Sequence, residues 1–187
     1  MTLFDLQDAT REYFTRIHRA ALILTGNPWD ADDLTQETFL CLARQRHSYE
    51  GRSSLYTYLY GILLNLERRS RRQSGMQRRK LQVLWDKEAE QERSVPGADS
   101  PIETAEWKKS LWAKVAELPD GHRQALVLRF GAGLRYDEIA DVMECPLGTV
   151  KSRIFHALAG LRRILEEEGG DVRQLPEFPG EELPHAI

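Results

Sequence analysis

Cysteine is nearly absent: Cys41 and Cys145 are the only two in 187 residues. They stand in separate helical patterns, with no second cysteine or nearby histidine at zinc-ligand spacing, which excludes a disulfide framework and a CxxC metal site. Both read as buried, reduced thiols. No stretch approaches the ~18 uninterrupted apolar residues of a membrane span, and residues 1–6 have no basic flank leading into an apolar core. The expectation is a cytoplasmic chain without membrane insertion. Strand alternation, internal repeats and glycine-rich phosphate loops are missing as well, so neither a sheet nor a nucleotide cradle is predicted. No cofactor or metal is expected.

What is present fits a folded, soluble chain: 41% of residues are hydrophobic and 29% charged. The length allows one ordinary domain or two small ones. A net charge of −3 argues against a general nucleic-acid coat, yet the charge is unevenly spread. Residues 1–80 carry 13 basic against 9 acidic side chains, and residues 81–106 carry 2 against 7. The first part is basic and the connector acidic.

Apolar residues recur at helical spacing over residues 4–24, and Gly26, Asn27 and Pro28 then supply a stop and a turn. A second helix is predicted over residues 30–46, burying Ala31, Leu34, Thr38, Cys41 and Leu42. A third carries Leu55, Leu59, Ile62 and Leu66 as its core stripe. Four more helices are predicted over residues 102–117, 119–130, 136–143 and 147–168. The expected fold class is all-α: two small helical domains, 1–80 and 103–168, joined by a flexible acidic linker over 81–102. The tail 169–187, with Pro176, Pro179, Gly180 and Pro184, is expected to be disordered.

The sharpest local signal is residues 136–143, a short turn, then residues 147–161, which is helix-turn-helix grammar. In the second of these helices Val150, Ile154, Ala157, Leu158 and Leu161 form the buried stripe. Thr149, Ser152, Arg153 and His156 line the opposite side at i, i+3, i+4 and i+7, flanked by Lys151. Short hydroxyl and basic side chains there can donate to phosphates or base edges in a major groove.

The third helix offers a different face. Asn65, Arg68, Arg69 and Arg72 share one side, joined by Arg71, Arg78, Arg79 and Lys80, with Tyr49, Tyr56, Tyr58 and Tyr60 near its base. Aromatics beside a basic groove suit unstacked single-stranded bases. A solvated helix end and core tyrosines are the plainer alternative. On the second helix Asp33, Gln36, Glu37 and Leu40 form an acidic and amide face with one leucine, suited to a protein partner. Asp30, Asp32 and Asp33 also sit at a helix start, where carboxylates complement the dipole, so they do not require a catalytic reading.

These segments resemble bacterial RNA polymerase sigma factors of the extracytoplasmic-function type, which keep only regions 2 and 4. Residues 30–39, DADDLTQETF, resemble the region 2 helix that grips core RNA polymerase, which implies polymerase binding by Asp33, Gln36, Glu37 and Leu40. Residues 49–65 resemble the loop and helix that open the minus-10 element. Tyr49, Tyr58, Asn65, Arg68, Arg69 and Arg72 are thereby implied in minus-10 DNA binding, with Tyr49 and Asn65 where the family captures a flipped base. Residues 118–129, 133–140 and 145–153 resemble region 4. They imply minus-35 contacts from Arg129, Pro146, Thr149, Lys151, Ser152, Arg153, Phe155 and His156. Tyr58 stands where the family usually has Trp, and His156 where Arg is common.

The resemblance implies core RNA polymerase, promoter DNA and an anti-sigma factor as partners, and no enzymatic activity. A stand-alone helix-turn-helix regulator is the rival reading; it leaves Asp33, Gln36 and Glu37 without a role. An enzyme acting on nucleic acid would need convergent carboxylates or a nucleophile with its base.

Overall fold

The computed structural model describes residues 4–45, 47–74, 101–169, 172 and 175. Arg78, Arg79 and Lys80, and all of the connector before residue 101, lie outside the described residues. Seven α-helices are described: α1 Leu6–Thr25, α2 Pro28–Gln45, α3 Leu55–Ser74, α4 Pro101–Glu117, α5 Asp120–Leu126, α6 Tyr136–Met143 and α7 Leu147–Glu167. A π-helical turn, Val127–Gly131, continues α5. No strand occurs among the described residues, and the fold is all-α.

The helix ends follow from short-range chemistry. Asp5 Oδ1 accepts from the amides of Gln7 (2.8 Å) and Asp8 (3.0 Å), capping α1. Gly26 ends that helix at φ 71°, a left-handed conformation that costs glycine little. Asn27 Oδ1 accepts from Trp29 N (3.0 Å) and Pro28 opens the next helix, where its missing N–H costs nothing. Ser54 Oγ accepts from Thr57 N (3.0 Å) at the start of α3.

Helices α1, α2 and α3 pack on one another; α5, α6 and α7 form a second group, with α4 against α5 and α7. In α2 the buried side is Ala31, Leu34, Thr35, Thr38, Phe39 and Leu42. Thr35 and Thr38 satisfy their hydroxyls on the carbonyls of Ala31 and Leu34, each at 2.7 Å. The core stripe of α3 is corrected. Leu59, Tyr60, Leu63, Leu64 and Glu67 are buried, whereas Leu55, Ile62 and Leu66 are half-buried. The reason is a second neighbour: α3 lies against α1 and α2 on one side and α6 on another, so more than one stripe is covered. Each fully buried leucine contributes roughly 1.5–3 kcal/mol over exposure, enough to fix how α3 is seated.

The two groups touch. Helix α3 packs on α6, and α1 packs on α4, α5 and the π turn. The expectation of disorder after residue 169 does not hold at Val172 and Leu175: Leu175 is 5% exposed and Val172 packs against the same core. Two apolar side chains three residues apart suffice to dock there, and Glu168 pairs with Lys114 of α4 just before them.

Candidate polymerase and nucleic-acid interfaces

On α2 the side opposite the core is open. Asp33, Gln36 and Leu40 are exposed, Leu40 at 48%, and Glu37 is half-buried. Glu37 Oε1 accepts from Arg44 Nη1 (3.1 Å) and, at 3.8 Å, from the Cys41 thiol. Burial first, then the Glu37 carboxylate, push that thiol's pKa up, so Cys41 stays protonated. Sequence reasoning missed one member of this face. Trp29, 78% exposed, precedes Asp33 by four residues and Leu40 by eleven, which places it on the same side. Its signal was available in the spacing.

The tyrosines divide into two sets. Tyr49 and Tyr58 pair at a centroid distance of 5.1 Å beside the start of α3, with Phe4 against Tyr49 at 5.7 Å. Tyr49 donates to Ser53 O (2.6 Å) and Tyr58 to Gln45 Oε1 (3.1 Å), which fixes both rings. Burial, with Tyr58 adding to it, raises the Tyr49 pKa, so its hydroxyl remains a donor. Tyr56 and Tyr60 turn inward instead, in edge contact at 5.0 Å, with Tyr13 against Tyr56 at 5.3 Å. Burial holds the Tyr60 hydroxyl far above the usual range.

Along α3, Asn65, Arg69 and Arg72 are exposed on one side. Arg68 is half-buried and reaches across to α6, donating to Met143 O at 3.4 Å. Arg71 is also engaged: it pairs with Glu67 within α3, with Asp120 Oδ1 of α5 at 2.5 Å, and with Leu24 O at 2.8 Å.

In the helix-turn-helix, Glu138 Oε2 accepts from Arg135 N (2.9 Å) and caps α6. Glu144 closes α6 at φ 53°, and Cys145 N reaches back to Ala140 O at 3.1 Å. Pro146 then leads into α7, whose buried side is Val150, Ile154, Ala157, Leu158, Leu161 and Leu165. Pro146 and His156 are exposed; Thr149, Lys151, Ser152, Arg153 and Phe155 are half-buried. Ser152 Oγ donates to Thr149 O (3.0 Å).

Arg153 braces the motif. Its Nη1 reaches Cys145 Sγ at 3.7 Å, and its Nε lies 3.3 Å from where a Cβ on Gly121 would be. Glycine at 121 therefore lets the guanidinium lie across α5. The His122 and His156 rings approach to 6.3 Å. Burial first, then the neighbouring His156 and Arg153, lower the His122 pKa. Arg129, on the π turn, donates to Leu134 O (3.0 Å) and stacks over Tyr136 at 4.8 Å. Three arginines read from sequence as DNA ligands, at 68, 129 and 153, thus have protein contacts as well.

Polar contacts cross the junction between the groups beside the apolar core that they share. Gln124 Nε2 of α5 donates to Glu67 Oε2 (3.0 Å), and Thr57 donates to Glu138 Oε1 (2.8 Å). Glu67 is 2% exposed and Gln124 5%. Removing one partner of such a buried charge typically costs ~3–5 kcal/mol, so Arg71 and Gln124 together make Glu67 tolerable there. Among the described residues no group of three or more His, Cys, Asp or Glu could hold a metal. No helix among them is long and apolar enough to cross a membrane.

Comparison with known proteins gives a consistent pattern. A family model described as Sigma-70 region 2 matches residues 10–76, and one described as Sigma-70, region 4 matches residues 108–161. The chain is 33% identical over 151 residues to the ECF RNA polymerase sigma factor EcfG of Rhodopseudomonas palustris, covering 81% of this chain and 80% of that protein. It is 32% identical over 142 residues to the RNA polymerase sigma-H factor of Pseudomonas aeruginosa, covering 73% and 74%. The fold is similar to that of CnrH solved with the cytosolic domain of CnrY (TM-score 0.63, 21% identity, 87% and 88% covered). It is also similar to the sigma factor RpoE of Bartonella quintana solved with the anti-sigma factor NepR (TM-score 0.61, 23% identity, 86% and 96% covered).

Proposed function

Because the chain belongs to the sigma-70 family, among its extracytoplasmic-function (ECF) RNA polymerase sigma factors, it directs promoter-specific transcription, and we propose that three of its faces divide that work. The first is α2. Asp33, Gln36, Glu37 and Leu40, extended by Trp29, hold core RNA polymerase. An exposed tryptophan and leucine amid acids and amides is the composition of a protein-binding hot spot. The second is the base and outer side of α3. Tyr49, Tyr58, Asn65, Arg68, Arg69 and Arg72 hold the melted minus-10 strand, where stacking on an aromatic contributes ~1–3 kcal/mol per base. The third is α7 with its turn. Pro146, Thr149, Lys151, Ser152, Arg153, Phe155 and His156 read minus-35 duplex, with Arg129 behind them.

Residues 1–80 and 103–168 are the proposed units of these two tasks, with 81–102 as the connector. Sigma factors are non-enzymatic regulators of initiation, and the proposal extends this to the chain itself, working in the cytoplasm with polymerase. An anti-sigma factor is a second proposed partner, since the Bartonella quintana relative in fold was solved with one. Splitting recognition between two weak faces makes tight promoter binding depend on the polymerase that holds both.

The observation that carries this reading is the presence on one chain of the Trp29–Leu40 face and a helix-turn-helix. A stand-alone regulator has no use for the first and is not favoured. Run-off transcription with purified core polymerase, with and without the chain, tests it on genomic promoter fragments. Promoter-specific transcripts are expected only with the chain; their absence together with absence of core binding would refute the reading.

A further inference from the structure

Helix α5 lies outside the helix-turn-helix, yet it brings a side chain to the edge of the reading helix. The ring of His122 lies 6.3 Å from that of His156, which is exposed on the side of α7 opposite its buried stripe. Arg153 joins them from α7. Its guanidinium lies along α5 because residue 121 is glycine, where a Cβ would meet Nε at 3.3 Å. An α-helix with its side chains is about 10–12 Å across, and the major groove is about 12 Å wide. With α7 seated there, a ring on a neighbouring helix 6.3 Å from a groove-facing side chain falls at the wall of the groove, which is phosphate backbone. A phosphate calls for donors and positive charge, and an imidazolium supplies both through its two N–H groups.

We propose that His122 is a further minus-35 ligand, holding a backbone phosphate as an imidazolium beside Arg153 and His156, so that duplex binding takes up a proton. This rests on the assignment of α7 as the minus-35 reading helix. The charges that act on His122 come from that helix, from His156 and Arg153. On its own helix Asp120 is turned to Arg123 and, from α3, to Arg71. Arg129 of the π turn is engaged with Leu134 O and Tyr136, and Lys114 of α4 with Glu168.

Without DNA the site opposes the proton. Burial first, then His156 and Arg153, lower the His122 pKa, so the ring is neutral at pH 7. A phosphate brings the negative charge that this cluster lacks, and its arrival favours the imidazolium. The pKa is then low in the chain alone and higher in the complex. Affinity is therefore least above the higher value, rises as pH falls between the two, and levels off below the lower one. One proton taken up changes affinity by at most about tenfold per pH unit.

The test uses the full chain assembled with core polymerase on a promoter fragment found by run-off transcription, with closed-complex affinity read at pH 8 and pH 6 across a salt series. From pH 8 to pH 6 the unaltered chain should gain about three- to tenfold more affinity than His122→Gln, which cannot take up the proton. At pH 6 the Gln variant should also lose about 0.9 from the log–log salt slope, the share of one phosphate contact, and at pH 8 the two slopes should agree. His122→Arg, charged throughout, should bind more tightly than the unaltered chain at pH 8 and lose the pH dependence; its binding also controls for folding. Equal gains for the unaltered chain and the Gln variant would overturn the proposal. So would equal weakening by Gln at both pH values, which is what a packing role gives. Absence of promoter-specific transcripts for every form would instead remove the sigma reading. The ring-proton resonance of His122, followed against pH in the chain alone with and without a random-sequence duplex, would then still decide: a titration midpoint that duplex does not raise would overturn the phosphate contact.

Discussion

The hydroxyl of Thr57 donates to Glu138 Oε1 across 2.8 Å, joining two helix starts that lie 81 residues apart in sequence. A carboxylate only accepts, so the Thr57 proton faces Glu138 and the Ser54 hydroxyl donates to Thr57 Oγ1 at 2.8 Å. The other carboxylate oxygen of Glu138 caps α6 through Arg135 N. One glutamate thus finishes a helix and fastens two halves of the molecule.

A double-mutant cycle separates those duties. Thr57→Val is expected to cost about 0.5–1.5 kcal/mol and Glu138→Ala about 1–2 kcal/mol, because the latter also loses the cap. The coupling between them should equal most of the Thr57 effect. Denaturant unfolding of the four chains measures it; a coupling near zero would mean that the contact contributes nothing to stability.

Glu144 occupies φ 53°, where a Cβ crowds the backbone. Glu144→Gly should stabilise the chain by about 1 kcal/mol while leaving duplex binding unchanged. A shift of the urea midpoint upward with the same slope is the expected result. A downward shift would show that the glutamate side chain contributes more than its strained backbone costs.

His122 has a lowered pKa in the folded chain, so the unfolded chain binds the proton more readily. Stability is then fully present above the ordinary histidine pKa of about 6.5 and declines as pH falls from there toward the folded pKa. His122→Gln should flatten the pH dependence in that window. Thermal unfolding between pH 7.5 and 5 checks the sign, and an unaltered slope in the variant would assign the effect elsewhere.

Asn65→Ala and Ser152→Ala should fail at different stages of initiation. The first is expected to slow promoter opening by about tenfold, since one hydrogen bond to an unstacked base is worth roughly 1 kcal/mol of barrier, and to recover on pre-melted templates. The second should weaken binding to minus-35 duplex by about 0.5–1.5 kcal/mol, the worth of one hydrogen bond. Permanganate footprinting and closed-complex affinity distinguish them; identical defects on both templates would contradict the division of labour.

Helix limits were legible because caps and stops are local. Asp5, Gly26, Pro28 and Pro146 each mark an end within a few residues of where the chain turns. Periodicity found the α7 stripe from Val150 to Leu161, because α7 is buried on one side, and stopped one member short, at Leu165. It misjudged α3, which has neighbours on more than one side, so Tyr60 and Leu64 lie where a single stripe would put solvent. The polar contacts between the two helix groups left no trace at all. Glu67 and Gln124 are 57 residues apart, and Arg71 and Asp120 are 49 apart, so no window on the sequence holds both members. A buried glutamate in an arginine-rich helix end reads as one more solvated charge until its partner is seen.

The π turn at Val127–Gly131 holds one residue more than an α-helical path would need. A one-residue deletion in the regular part of α5 would rotate everything beyond it by about 100° and re-aim α6 and α7. The π turn is different: losing one residue there restores the α-helical count and leaves the chain beyond it in register. Length is therefore more tightly constrained in α5 itself than in the turn that ends it, and the turn is the place where the reading head tolerates a change of one residue.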